Sequence, residues 1–271
     1  MEGVKDEGKR NVLGVLVDAV DYEAAVDKIV TAARAGAGFS VSALAVHGVM
    51  TGVGDPGQRY RLNHLDLVTP DGQPVRWALN LLHRTSLSDR VYGPTLTLEV
   101  CRAAAGEGLP VYFYGSREAV LERLEVRLRE LFPDLIVAGR QPSLFRRTTG
   151  SERDRIVERI RASGARITFV GLGCPRQEVF AYEYRDALSM PVLAVGAAFD
   201  YLAGLLKEPP ALMQRVGLQW LYRLLQDPRR LWRRYVLLNS AYLALLCLQA
   251  LKLWRPDPVA SQAPVGEILY G

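Results

Sequence analysis

Short apolar runs alternate with longer amphipathic stretches over residues 12–204, and the two periods predict different elements. The runs VLGVLV, FSVSALAV, LDLVTP, LPVYFYG, LIVAG, ARITFVGLG and MPVLAVG predict strands. Between them, Tyr22–Ala35, 117–132 and 151–163 carry apolar residues at helical spacing. In REAVLERLEVRLRELF, Val120, Leu121, Leu124, Leu128 and Leu131 fall on one stripe and charges take the rest. Strands that are almost wholly apolar are covered on both faces. The pattern predicts an α/β fold, a Rossmann-like, largely parallel sheet flanked by helices.

After Leu206 the character changes. Glu208-Pro209-Pro210 ends the alternation, and a helical pattern covers 211–226. Asp227-Pro228 reads as an N-cap with proline at the first helical position of a second helix, 228–254. That helix opens on Arg229, Arg230, Arg233 and Arg234 and continues as YVLLNSAYLALLCLQALKLW. The run approaches membrane-spanning length, but Asn239, Ser240, Gln249 and Lys252 interrupt it. A basic, aromatic start followed by apolar residues suits a helix lying in a membrane interface; packing against the domain or a partner chain is the alternative. The proline-containing tail from Arg255 is expected to be loose. The chain thus divides into a core, 1–206, a helical arginine-rich appendage, 207–254, and a flexible tail, 255–271.

Composition is that of an ordinary globular protein, and the net charge of +5 (34 basic against 29 acidic residues) is modest. Its distribution matters more. Six arginines stand between positions 215 and 234, opposed there only by Asp227. Such a block suits phosphates, with a solvated helix face as the bland alternative. Cys101, Cys174 and Cys247 are far apart and form no CxxC pair, which argues against a zinc site or a disulfide framework. MEGVKDEGKRN has no apolar stretch of the secretory kind. A reducing, cytoplasmic setting is expected.

In parallel sheets, ligands gather beyond the carboxyl ends of the strands. The loops expected there hold His47-Gly48, Asp71-Gly72, Gly115-Ser116, 171–177 and 196–200. Asp71 follows an apolar strand and precedes a helix, where a carboxylate can take a proton from a substrate hydroxyl; an N-cap or Asp-Gly turn is the alternative. In VGLGCPRQE, Gly171 and Gly173 permit unusual backbone angles, and free helix N–H groups beyond them can hold a phosphate. Gln177 offers both a donor and an acceptor. This is not the GxGxxG of dinucleotide binding, since Arg176 stands three after Gly173. His47 is expected to end its strand at the same rim, while His64 and His83 share no metal spacing with it. Arg90 precedes another helix and can hold a diphosphate bidentately. No Asp-x-Asp metal motif occurs, so arginines and helix ends are left to neutralise a leaving diphosphate.

Taken together, VTPDGQPVRWAL, DRVYGP, LPVYFYGSREAVLERL, ITFVGLGCPRQE, VLAVGAAFDYLAG and GLQWLYRLLQDPRRLWRRY resemble the WecG/TagA/CpsF glycosyltransferase family over 12–235. The resemblance implies an inverting, metal-independent transferase at the cytoplasmic membrane face. It would take a UDP-sugar and an undecaprenyl-diphosphate-linked sugar and need no cofactor. It implies that Asp71 is the general base and that Arg90 and Gln177 line the pocket, with Thr95, Gly171, Gly173 and Asp200 also expected near substrate. Arg223, Arg230 and Arg233 would close the site over the diphosphate, and the appendage would meet the inner membrane surface. Two positions depart from the family pattern: Ala45-Val46-His47 stands for Thr-x-Asn, and Thr95 for an aspartate. Both bear on the pocket, so the donor is read broadly as a hexose or N-acetylhexosamine, with His47 orienting the acceptor or sharing the base role.

Two other classes use part of this pattern. An NAD- or nucleotide-dependent oxidoreductase of Rossmann type would share the sheet without its fingerprint, and a non-catalytic membrane-docking protein would leave the loops unexplained. Nucleic-acid binding is disfavoured because the arginines adjoin an apolar helix rather than a broad basic face. A homo-oligomer is left open.

Overall fold

The computed structural model describes residues 4–271, without the side chains of Ala211, Arg230, Arg233 and Arg234. It opens with β1 (Asp6–Val12) and β2 (Val15–Val20), then α1 (Tyr22–Ala35), β3 (Phe39–Leu44), α2 (Val46–Gly54), α3 (Pro56–Asn63), β4 (Leu67–Pro70), α4 (Gln73–His83) and α5 (Gly93–Glu107). There follow β5 (Val111–Gly115), α6 (Glu118–Leu131), β6 (Val137–Gln141), α7 (Gly150–Ala162), β7 (Ile167–Gly171), α8 (Arg176–Leu188), β8 (Pro191–Ala194) and α9 (Ala198–Leu202). The appendage is α10 (Ala211–Arg215), α11 (Gln219–Gln226), α12 (Pro228–Arg233), a π-helical turn (Arg234–Leu238) and α13 (Asn239–Ala250).

Strands β3 to β8 form one parallel six-stranded sheet in the order β4-β3-β8-β7-β5-β6. Helices cover both faces, as the apolar strands require. Alternate residues of β5 show the division. Tyr112 and Tyr114 pack with α2, α4, α7, α8 and α13, whereas Val111 and Phe113 pack with α1, α5, α6 and α9. The helix ends follow local chemistry. Asp21 caps α1 by accepting from Ala24 N, Asp55 caps α3, and Thr149 and Glu152 form a capping box on α7.

Four features differ from the sequence reading. VLGVLV is not one strand of the sheet: Leu13 and Gly14 both take positive φ and turn the chain into the β1–β2 hairpin, pairing Val12 with Val15. That hairpin guards the β4 edge. Asp18, ion-paired to Lys9, accepts from the Val68 N–H at 2.7 Å. Leu131, at the end of its stripe, is exposed. The helix expected over 211–226 breaks at Gly217, where the missing side chain admits the Trp77 ring: a Cβ there would lie 2.6 Å from it. The 228–254 helix ends at Ala250 and carries the π-helical turn.

α13 packs on the domain through buried Tyr242 and Leu246, and the Tyr242 hydroxyl donates to Pro74 O at 3.1 Å. Among the described residues, no helix is long and apolar enough to cross a membrane. The segment 255–271 runs back along the core. Asn11 and Asn63 donate to Pro256 O and Pro258 O, and the Ile268 and Leu269 N–H groups donate to Glu183. Thr148 N and Gly271 N close the path onto Leu269 O and Arg146 O.

Tyr242 is therefore the pin that joins the last helix to α4. Tyr242→Ala is expected to cost about 3 kcal/mol or more in urea unfolding, and Tyr242→Phe about 1 kcal/mol. An unchanged midpoint for Tyr242→Ala would show that the helix is held elsewhere.

Candidate active site

The carboxyl ends of β3, β4 and β8 meet at Asp71. Its backbone N–H donates to Leu44 O, which ties the end of β4 to that of β3. Gly72 follows at φ +115°, a conformation that side chains resist, and it is Gly72 that occupies the N-cap of α4. Asp71 is thereby freed from the capping role that sequence left open. Its carboxyl points instead toward Gly93, at the start of α5. A Cβ on Gly93 would lie 3.6 Å from Asp71 Oδ2, 3.1 Å from Val195 O and 3.4 Å from Ala43 Cβ. The tight contact is the Val195 carbonyl, so glycine at 93 lets α5 begin close against the end of β8.

Burial pushes the Asp71 carboxyl up from the ordinary 3.8 to about 6, against the pull of the Arg90 and Arg223 charges and a hydrogen bond from the Gly93 backbone. The group is enclosed by protein, although the residue keeps a partial opening to the surface. A carboxylate in this state is mostly ionised at neutral pH and close to its titration point, which is what a general base requires.

Two arginines from different parts of the chain face this acid. Arg90, buried on the loop before α5, lies over the Tyr92 ring at 4.2 Å. Its guanidinium donates to Gln214 Oε1 at 3.0 Å and to Gln219 Oε1, both carried by the appendage. Arg223, on α11, lies over the Tyr201 ring at 5.8 Å, and the Tyr92 and Tyr201 rings meet edge to face at 6.2 Å. Tyr22, Tyr92 and Tyr201 all feel the Asp71 charge, and burial raises each phenol. The site is thus one acid and two arginines walled by tyrosines. It joins core to appendage.

The remaining predicted residues fall into several places. His47 is the second residue of α2, since β3 ends at Leu44. Thr95 stands one layer behind, hydrogen-bonded to the Tyr22 phenol beside a groove of about 480 Å³ between α1 and α5. Gly171 has a packing reason: a Cβ there would lie 2.5 Å from the Phe199 ring. Gly173 takes φ +78° with open space on its side-chain face, so its glycine is conformational. Asp200 lies in the first turn of α9 and accepts from Leu205 N and Leu206 N through its backbone carbonyl.

Gln177 is buried and already engaged. Its Oε1 accepts from Gly173 N at 3.1 Å and its Nε2 donates to Glu178 Oε1 at 3.0 Å. The side chains of Arg230 and Arg233 lie outside those described. Among the described residues, no group of three His, Cys, Asp or Glu side chains is placed to hold a metal ion.

Sequence reasoning missed Tyr22, Tyr92, Gly93, Tyr201, Gln214, Gln219 and Glu178. Tyr92, Gly93 and Tyr201 stand in or beside quoted motifs, so proximity to Arg90 and Asp200 was a usable signal. The two glutamines had none, because nothing local says that they reach Arg90.

The raised acid makes stability depend on pH with a definite sign. The native chain holds the Asp71 proton more tightly than the unfolded chain, so its contribution declines as pH rises from about 4 to 6 and stays low above. Asp71→Asn should accordingly gain up to about 3 kcal/mol over wild type at pH 8 and nothing at pH 4. Equal stability differences at both pH values would contradict the burial of this charge.

A family model described as the glycosyl transferase WecG/TagA/CpsF family matches residues 10–256, which takes in the sheet, the Asp71 site and the appendage. The chain belongs to the WecG/TagA/CpsF glycosyltransferase family, a family of transferases acting in cell-surface polysaccharide synthesis.

Proposed function

We propose that the protein is an inverting, metal-independent transferase that moves a hexose or N-acetylhexosamine from a UDP-sugar to an undecaprenyl-diphosphate-linked sugar. The observation that carries this reading is the pairing of Asp71 with Arg90 and Arg223 at the strand ends. Asp71 takes the proton of the acceptor hydroxyl as its oxygen attacks the anomeric carbon. The bond from that carbon to the diphosphate oxygen breaks on the opposite face, and UDP leaves with the electron pair. Arg90 and Arg223 meet the charge that develops, with Arg230 and Arg233 as further candidates. His47, Thr95, Gly171, Gly173 and Asp200 are proposed to border the sugar or nucleotide. Gln177 is proposed to act through the loop it holds.

The appendage, 207–254, is proposed to dock on the inner membrane surface, where the polyprenyl acceptor resides. Leu212, Leu225, Trp232, Val236, Leu237 and Leu243 are exposed on it, and Arg215 and Arg229 supply exposed positive charge. Apolar side chains among arginines suit an anionic interface.

The first experiment is a panel of UDP-sugars with lipid-linked acceptor in the presence of EDTA, where transfer of one sugar is expected. Asp71→Asn should lower turnover about 10²–10⁴-fold while leaving UDP affinity nearly unchanged. For wild type, log kcat/KM should fall with unit slope below pH 6 as Asp71 takes up its proton. Transfer by Asp71→Asn at the wild-type rate would remove the base assignment. Leu225→Asp combined with Leu237→Asp should weaken sedimentation with anionic vesicles at least about tenfold, since each apolar side chain contributes about 1.5–3 kcal/mol when buried.

A further inference from the structure

Beneath the glycine-rich loop lies a second carboxyl that the proposed chemistry does not use. Glu178, in the first turn of α8, is 1 % exposed. Its Oε1 accepts from Ser42 Oγ on β3 at 3.2 Å and from Gln177 Nε2 at 3.0 Å, and the Cys174 thiol bonds to the same carboxyl. Gln177 passes the constraint onward. A backbone N–H can only donate, so the amide atom facing Gly173 N is the oxygen, and Nε2 is left to face Glu178. The chain of bonds runs Ser42, Glu178, Gln177, Gly173. It starts on a central strand and ends at the open point of the loop.

We propose that Glu178 is the positioning residue of this site: through the Gln177 amide it holds Gly173, and with it loop 171–176, in the shape that receives the nucleotide diphosphate. The structure supplies three supports. Gly173 is held at φ +78° with nothing within 4 Å of its side-chain face, so the loop presents bare backbone there. Gln177 sits against the neighbouring β8–α9 loop, where a Cβ on Gly196 would lie 3.4 Å from Nε2. Finally, the partners of Glu178 are neutral donors, and burial raises its pKa.

That the loop meets a diphosphate rests on the UDP-sugar reading; that Glu178 sets the loop does not. Two measurements separate them. Amide hydrogen exchange over 171–176 reads the relay without any ligand, and UDP titration with sugar transfer reads its consequence. For Glu178→Leu and for Gln177→Ala, exchange in this segment should quicken by about tenfold and UDP affinity should fall by about tenfold, because a buried partner is left unmatched. Glu178→Gln keeps an acceptor oxygen for Gln177 and Ser42 and should stay within about threefold of wild type in both readouts. The Gln177→Ala, Glu178→Leu double variant should lose no more UDP affinity than the worse single variant, as members of one relay do.

Unchanged exchange in Gln177→Ala or Glu178→Leu would overturn the relay, as would a Glu178→Gln protein as defective as Glu178→Leu. Quickened exchange with wild-type UDP binding would overturn the link to the diphosphate. Absence of UDP binding by the wild-type protein itself would instead count against the UDP-sugar reading.

Discussion

A carboxylate taken out of water has to be compensated, and most of the architecture around Asp71 follows from that requirement. Burial alone would drive its proton affinity far up. Arg90, Arg223 and the Gly93 N–H bring it back to about 6. The compensation comes from both sides of a seam, since Arg90 belongs to the core and Arg223 to α11. The appendage is consequently part of the electrostatics of the site rather than an addition to it. Its polar groups Gln214, Gln219 and Arg223 turn inward, while Leu212, Leu225 and Leu237 face out.

The parallel sheet makes this possible by delivering several loops to one edge. β3, β4 and β8 are neighbours, so the residues after them converge although they are far apart in sequence. Small residues then set the distances, with Gly93 against the Val195 carbonyl and Gly217 against Trp77. Two buried acids result, in contrasting surroundings. Asp71 faces two guanidinium groups and keeps a partial opening, which favours an ionised, reactive state. Glu178 is closed in by Ser42, Gln177 and Cys174, which favours an anchor. The difference lies in the partners, since burial raises both groups.

Much of the core was legible because its signals are local. Periods of 3.6 and of unbroken apolar runs mark helices and buried strands, and Asp71, Arg90 and Arg223 stood out in segments that the structure does bring together. What escaped was set by partners distant in the chain. Leu13-Gly14 lacks the usual Asn-Gly turn signal, so the hairpin read as one strand. The tail has the composition of a loose segment, and its path depends on Glu183, Asn11 and Asn63. The Phe199 ring packed against Gly171 comes from α9, distant in the chain. The bonds of Gln177 to Gly173 and Glu178 likewise depend on the folded loop.

The way Arg90 is held bears on how the proposed reaction can proceed. Its guanidinium is engaged by two amide oxygens, which are neutral acceptors. A phosphate oxygen carries a charge that an amide oxygen lacks, so it binds a guanidinium more strongly, and the pair can be bidentate. A diphosphate arriving at this arginine can therefore displace glutamine oxygens, whereas a carboxylate in their place would compete on equal terms. The choice of glutamine at both positions keeps the appendage registered on the core in the absence of ligand and leaves the arginine exchangeable. Lysine at position 90 would satisfy neither demand as well, because a point charge cannot divide a planar fork between two oxygens and then present it to a phosphate.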